Sequence, residues 1–332
     1  CTSILWGPDS IMDGLTPCLL CGSPDLEPLY EPIGTRRGIT VHLCKNCGLL
    51  QSLPRNTIGD KIARPSHNAD YGNLRIFKGQ RSQQNLDFLR RNVPGFKPAR
   101  VLDVGASRGA FVKVIQQWIP DCKVDAIEPD TKLSGEWQPD RYVNWLGVKV
   151  EDAVLNDYDL CYLCHSLEHF STPLATLKKL RVALVPNGWL LVEVPNIRGM
   201  MGILDICEEL YLDKHVLHFS KNTLCKMLGA AGFLPKYFRV DEENITILAQ
   251  RGPITPIPDD YEASSIRPMV QAYGSDLIKN REALNGKIWW LNLLIKNEGR
   301  PALISGGGRI LSALVEAGLD TLLFEGVVDP WL

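Results

Sequence analysis

Arg100-Val101-Leu102-Asp103-Val104-Gly105-Ala106-Ser107-Arg108-Gly109-Ala110-Phe111 reads as a short buried strand, a glycine turn and the start of a helix that runs from Ala110 to Trp118. Gly105 and Gly109, with the small Ser107 between them, suit a turn where a ligand comes close to the main chain. A Cβ there would block the approach or forbid a φ above zero. A second strand, Lys123 to Ile127, ends in Glu128, a little over twenty residues after the turn begins. A carboxylate at that distance can accept both hydroxyls of a ribose. By itself the turn predicts a nucleotide-type ligand and no more.

The pattern continues outward from it. A third strand is expected near Tyr142 to Val150, followed by Glu151-Asp152, and a fourth from Leu160 to Cys164. A helix over Leu174 to Leu184, a turn at Val185-Pro-Asn-Gly188 and a strand over Trp189 to Val194 come next. Strands alternating with helices predict an α/β, doubly wound parallel sheet, whose carboxyl-end loops gather Gly105, Glu128, Asp152 and His165 around one crevice. An amphipathic helix from Gln80 to Asn92 precedes the sheet, with Gly79 arguing against a much earlier start. Thr223 to Ala231 reads as a helix stopped by Gly232, and Tyr237–Val240 with Ile245–Gln250 as antiparallel closing strands. Three prolines between Arg251 and Asp260 mark a linker. A long helix is expected over Ser275 to Asn297, with Trp289-Trp290 able to stack on a sugar or base but more readily read as packed against a neighbouring domain.

The chain has 332 residues, 45% of them hydrophobic, and a formal charge of −2. It can bury a large core, and it shows no basic stripe to attract nucleic acid or an anionic membrane. No signal peptide or membrane-length apolar run is seen, so a cytoplasmic protein is expected. The chain opens on Cys1 rather than Met and stops at Trp331-Leu332, the pattern of a fragment or trimmed chain.

Four of the ten cysteines form a repeated knuckle, Cys18-Leu-Leu-Cys21-Gly22 and Cys44-Lys-Asn-Cys47-Gly48, with 22 residues between the pairs. Two residues between thiolates let both reach one tetrahedral ion, and the glycines permit the tight turn that aims amides at sulfur. Four thiolates leave no open position, so the ion would be a structural Zn²⁺. Leu26–Tyr30 and Ile39–Leu43 are expected as the hairpin it staples. Cys161 and Cys164 lie on a predicted strand with their sulfurs on opposite faces, and with Cys122, Cys207 and Cys225 they read as buried apolar residues.

Five ordered segments resemble the class I S-adenosylmethionine-dependent methyltransferases: Leu102 to Gly109, Ile127-Glu128-Pro129, His165-Ser-Leu-Glu168-His169-Phe170 with Pro173, Leu184 to Gly188, and Val192 to Asn196. Ser107 stands where the family usually has glycine. The resemblance implies that Asp103, Gly105 and Gly109 flank the methionine part of the cofactor, that Glu128 takes the ribose, and that Asp152 lies near the adenine. Ala106, Ser107, Pro129 and His165 complete the implied cofactor set. An NAD-binding turn would want Gly-x-Gly-x-x-Gly, whereas the spacing here is Gly105 then Gly109.

The wider order of zinc knuckles, core, long helix and a glycine-containing C-terminal strand–helix–strand unit resembles the nucleotide-sugar C-methyltransferases. Their layout implies a zinc-ribbon domain over residues 1–60, a methyltransferase core over 61–252, a linker and helix over 253–298, and a partial Rossmann-like unit over 299–332. That last unit would help hold a sugar-nucleotide diphosphate, with Arg309 suited to the role. The family's Tyr-x-Glu-His segment has its counterpart at Leu212 to Ser220, where His215 and Phe219-Ser220 match, Lys214 occupies the Glu position and Tyr211 sits one residue early. The His165 to His169 motif is nearer to the broad group that includes O-methylating enzymes.

Methyl transfer is an in-line displacement at a sulfonium, so the protein must position the nucleophile and remove its proton. A neutral imidazole suits the second task near pH 7. The candidates are His215, His169 and His165, with Tyr211 or Lys214 stabilising a developing oxyanion and His218 read as a packed core residue. The expected partner is a small-molecule substrate, a nucleotide sugar. The other readings are O- or N-methylation of a different small molecule, and a binding protein that keeps the fold without turnover, for which Lys214 is the argument.

Overall fold

The computed structural model describes residues 16–32, 38–53, 72–130, 140–200, 215–258, 262–300, 302–305, 311 and 314–328. Tyr211, Lys214, Cys207 and the Gly306–Arg309 turn lie outside these residues.

At the N-terminal end, β1 (Leu26–Tyr30), β2 (Thr40–Cys44) and β3 (Leu50–Leu53) form an antiparallel meander. Helix α1 (Gly72–Asn92) follows, then β4 (Arg100–Val104), α2 (Ala110–Trp118), β5 (Lys123–Ile127), β6 (Val143–Leu146) and β7 (Tyr158–Cys164). The chain continues through α3 (Pro173–Ala183), β8 (Leu184–Pro195), the single turn α4 (Ile197–Met200), β9 (Leu217–His218) and α5 (Lys221–Ala230). It closes with β10 (Phe233–Val240), β11 (Asn244–Arg251), α6 (Glu262–Glu298), β12 (Ala302–Ser305) and β13 (Phe324–Val328). No helix among the described residues is long and apolar enough to cross a membrane.

The central sheet has seven strands in the order β10-β11-β8-β7-β4-β5-β6. Pairing is parallel from β8 to β6, while β11 runs antiparallel to both β8 and β10. The parallel strands are nearly continuous apolar runs because both faces are covered. Alternate residues divide between them: Val101, Leu160 and Leu191 pack with α1 and α2, and Leu102, Cys161 and Leu190 pack with α3 and α5. Cys161 and Cys164 accordingly fall on opposite sides of β7.

The N-terminal meander is not isolated from this core. Its sheet takes β9 as a fourth strand, so Leu50 faces His218 and Gln51 faces Leu217. Cys18, Leu20, Cys44, Cys47 and Leu49 share one buried cluster with Leu224, Met227 and Leu228 of α5. The first half of α6 seals the other side, packing Ile266, Val270, Tyr273 and Leu277 against Val41, Leu43 and Leu50, with Arg267 paired to Glu27.

Four local expectations are corrected. Helix α1 passes straight through Gly79, beside which no atom stands within 4 Å of an added Cβ. A glycine in such an open position costs about 1 kcal/mol and does not break a helix that packs elsewhere. Residues 185–188 are not a turn that ends one element and begins another: β8 is continuous, Tyr158 pairing with Leu184 and Leu160 with Trp189, so the segment between swings out of register as a bulge. Helix α6 begins thirteen residues before Ser275 and contains Pro268, since packing on the meander holds a turn that local composition disfavours. Trp289 and Trp290 are 63% and 57% exposed rather than packed, because Asn292, not the tryptophans, bonds the C-terminal unit at Gly318 and Asp320. In that unit β12 and β13 pair in parallel, the geometry of a strand–helix–strand connection.

Candidate active site

The chain runs outward from β4 through β5 to the β6 edge, then returns on the other side of β4 as β7. Beyond the carboxyl ends of β4 and β7 the connections diverge and leave a crevice, the place where ligands bind in open α/β sheets. The turn after β4 lines it. Gly105 has φ 80° and Gly109 φ 73°, and Ser107 is left-handed too at φ 50°. The main chain is pinned by Gly105 and Ala106 amides donating to the Ile127 carbonyl at 2.9 and 3.0 Å. A Cβ on Gly105 would stand 2.2 Å from Ser166 Oγ, and one on Gly109 2.8 Å from the Trp145 ring. The glycines are therefore required twice, by backbone conformation and by space. Gly105→Ala is expected to lower the thermal midpoint and, for the cofactor that the sequence resemblance implies, to weaken S-adenosylmethionine binding about tenfold or more, since left-handed backbone with a side chain costs roughly 1–2 kcal/mol before the collision is counted. Calorimetry checks it, and unchanged affinity would show that the turn is not a cofactor cradle.

Glu128 follows β5 directly. Its carboxylate accepts from the Ser107 amide at 2.9 Å and the Asp130 amide at 3.0 Å, so one side chain sets both the turn and the start of the next loop. Those bonds leave lone pairs on each oxygen for ribose hydroxyls. Asp103 lies at the end of β4, fully buried, with Oδ2 lacking any hydrogen-bond partner. Burial, reinforced by the nearby Glu128 charge, pushes its carboxyl up to about 8. An orphaned buried oxygen beside a glycine cradle fits a polar cofactor group. Pro129 is half-buried beside Glu128, and Asp152 sits in an exposed turn closed by its amide to Lys149.

Across the crevice, the loop after β7 carries the histidines. His165 holds a left-handed φ of 51°, and its Nε2 is 2.8 Å from Asn244 Oδ1. Residues Leu167–His169 form one 3-10 turn that puts Glu168 between two rings: Oε1 is 3.6 Å from His165 Nδ1 and 3.7 Å from His169 Nε2. His169 and His215 have ring centroids 5.0 Å apart, and His215 and His218 6.4 Å. Three sequence-predicted histidines are thus brought together. His218 is buried, with Nε2 2.8 Å from Ser52 Oγ on β3. The segment is clamped from both sides, as the Val216 amide donates to the Glu168 carbonyl and the Ser52 amide to the Val216 carbonyl.

Two acidic groups escape a reading of the sequence alone. Glu168 looks like a helix-capping residue, yet it is buried among imidazoles. Glu193 on β8 looks like one polar residue in an apolar strand, yet it is fully buried, with Oε2 2.7 Å from Arg239 Nη2 and Oε1 3.4 Å from Arg81 Nε. A charged residue in an otherwise apolar strand is the signal that would have found it.

The four knuckle sulfurs form a separate cluster, with all four within 4.8 Å of one another. Cys18 and Cys47 are 3.6 Å apart at sulfur, and Cys21 and Cys44 3.5 Å. A tetrahedral ion with bonds near 2.3 Å would place its sulfurs about 3.7 Å apart, so the set fits zinc with little movement. Gly22 and Gly48 have φ 74° and 79°, and their amides donate to the main-chain carbonyls of Cys18 and Cys44, while the Leu20 amide donates to Cys18 Sγ at 3.4 Å. Mutual bonding among the thiols lowers Cys44 to about 7 through Cys18 and raises Cys18 through Cys21. Lys226 of α5 donates to the Cys47 carbonyl at 2.8 Å, linking the cluster to the core.

Residues 77–234, just under half of the chain, match the family model described as a methyltransferase domain. No relative among curated proteins matches the chain. Among solved structures, a putative S-adenosylmethionine-dependent methyltransferase of Listeria monocytogenes is similar at 15% identity and TM-score 0.42, over 51% of this chain and 99% of that one. The 1,6-didemethyltoxoflavin-N1-methyltransferase of Burkholderia thailandensis is similar at 16% identity and TM-score 0.46, over 67% and 100%. Human N-acetylserotonin methyltransferase is similar at 18% identity and TM-score 0.40, over 60% of this chain and 63% of its own length. These are likenesses of fold, and their acceptors are their own.

Proposed function

We propose that this S-adenosylmethionine-dependent methyltransferase methylates a sugar-type small molecule, nucleotide-linked, with a histidine as general base and a structural zinc in the four-cysteine cluster. The observation that carries the reading is the contact between the two halves of the crevice. Ser166, flanked by His165, stands where a Cβ of Gly105 would be, so the cofactor turn and the histidine loop abut.

In this reading the main chain from Gly105 to Gly109, with Ala106 and Ser107, cradles the cofactor, and Asp103 meets its methionine part. Glu128 receives the ribose, with Pro129 shaping the loop and Asp152 standing near the adenine. Bound S-adenosylmethionine supplies an electrophilic methyl group on a sulfonium. His215 or His169 would take the acceptor's proton, and the electron pair left on the acceptor atom would form the new bond to the methyl carbon as the sulfur–methyl bond breaks, its electron pair staying on sulfur to leave a neutral thioether. Near pH 7 a neutral imidazole is available for that step. Tyr211 and Lys214, outside the described residues, are proposed to stabilise an oxyanion if the attacked atom is a carbon beside a carbonyl. The sugar-nucleotide acceptor is supported by the order of zinc knuckles, core, long helix and C-terminal strand pair.

Calorimetry with S-adenosylmethionine, followed by a methyl-transfer assay on keto-sugar nucleotides, tests the reading. Glu128→Ala is expected to weaken cofactor binding about 10- to 100-fold, since it removes the ribose acceptor and the carboxylate that pins Ser107 and Asp130. No binding by the unaltered protein would sink the enzyme reading, and unchanged affinity in the variant would refute the site.

A further inference from the structure

We propose that Glu168 is the positioning residue of the acceptor site, holding the rings of His169 and His165 and stabilising the imidazolium formed when the acceptor's proton is taken. The inference rests on the histidine-base reading above. Three observations carry it. Glu168 is 1% exposed, and its Oε1 lies 3.6 and 3.7 Å from ring nitrogens of two histidines. The 3-10 turn at Leu167–His169 sets the Glu168 backbone directly before His169, and burial of the side chain restricts where its carboxylate can go. Glu168 also acts through its main chain, since its carbonyl accepts the Val216 amide at 2.8 Å and so holds the residue next to His215.

Electrostatics give the pair a direction. Burial alone lowers an imidazole pKa, whereas an adjacent carboxylate raises it. The other charged groups facing these rings pull unequally. Glu193 Oε1 is 3.7 Å from His165 Nε2, but its charge is met by Arg239 and Arg81. Asn244 contributes an amide oxygen to His165, Cys164 gives its thiol hydrogen to Glu193, and His215 and His218 extend the row beyond His169. Glu168 is the carboxylate shared by His165 and His169. A proton accepted on a ring nitrogen of His169, directly or from His215, would form an ion pair with Glu168. It can leave through His165, whose side chain is 26% exposed.

Histidine titrations followed by NMR in the full chain test this without any acceptor. His165→Asn and His169→Asn assign the signals. In the unaltered protein at least one of the two rings is expected to titrate above the ordinary value of about 6.5, and Glu168→Gln to lower it by about one pH unit. Glu168→Asp should restore part of the shift. The acid limb of the kcat profile should move down with Glu168→Gln, while S-adenosylmethionine affinity stays unchanged. Superimposable titrations in Glu168→Gln and the unaltered protein would overturn the proposal. If that variant does not fold, titration of both rings at or below about 6.5 in the unaltered protein would overturn it equally. Failure of the unaltered protein to bind the cofactor would refute the enzyme reading and leave the titration result standing.

Discussion

On the proposed reading of the cysteine cluster as a zinc site, Cys44→Ser is expected to release the proposed zinc, unfold the N-terminal meander and abolish the proposed methyl transfer, although Cys44 lies in a different sheet from the cofactor turn. Cys44 is fully buried and belongs to the same apolar cluster as α5. A structural zinc site contributes on the order of 10 kcal/mol of binding free energy that is realised only in the folded state. Losing one thiolate from the closed set loses most of it and leaves buried sulfurs crowded without an ion. The effect reaches the histidines because β3 pairs with β9 and Ser52 bonds His218, while the Ser52 amide holds Val216 beside His215. Metal analysis should give about one tightly held zinc per chain, and none in the variant. Thermal denaturation should show a large fall in midpoint, and a chelator should reproduce both losses. Unchanged metal content in Cys44→Ser, or no zinc in the purified protein, would refute the site.

Asp103→Asn is expected to make the cofactor-free protein more stable than its parent above pH 8 while weakening S-adenosylmethionine binding. The folded-state carboxyl is raised to about 8 by burial and by the Glu128 charge, against an ordinary value of 3.8. The folded protein therefore holds this proton more tightly than the unfolded chain does. The sign follows: the contribution is fully present below about pH 4, shrinks as pH rises and is lost once pH passes about 8. A rise from 3.8 to about 8 amounts to on the order of 5 kcal/mol across that window. An amide does not titrate, so the variant should lose much less stability over the same range. A cationic methionine moiety beside Asp103 would draw the proton off, so binding should release protons near neutral pH. Thermal melts from pH 5 to 9 and calorimetry in buffers of different ionisation enthalpy measure the two effects. Parallel stability profiles for the two proteins would refute the first, and no proton release the second.

Much of the scaffold is legible residue by residue. Helix α2 and strand β5 fall where glycine punctuation and apolar runs place them, because a strand buried on both faces and a helix starting after Gly109 leave little choice of boundary. The misplaced boundaries are those where a distant partner compensates a local cost. Gly79 lies inside α1, Pro268 inside α6, and residues 185–188 bulge from β8 with Gly188 placed where a Cβ would come within 3.0 Å of the Tyr158 carbonyl. None of these can be read from a local window, since the compensating atoms are far away in the chain.

What the sequence determined alone is the set of motifs that depend on short spacing: the two cysteine knuckles, the glycine turn, and the carboxylate that follows the next strand. Each knuckle and the turn span only a few positions, and the carboxylate follows the strand parallel to β4, so local order makes these patterns visible, while the antiparallel pairing of β1 and β2 is what brings the two knuckles together. Only the tertiary structure decided how these parts meet. Pairing of β9 with β3 joins the cysteine cluster to the histidine segment, and the return of β7 beside β4 sets Ser166 against Gly105. It also converts Glu168 from an apparent cap into a buried carboxylate between two imidazoles. Burial and long-range neighbours set the charge state of such a group, and neither is visible until the chain has folded.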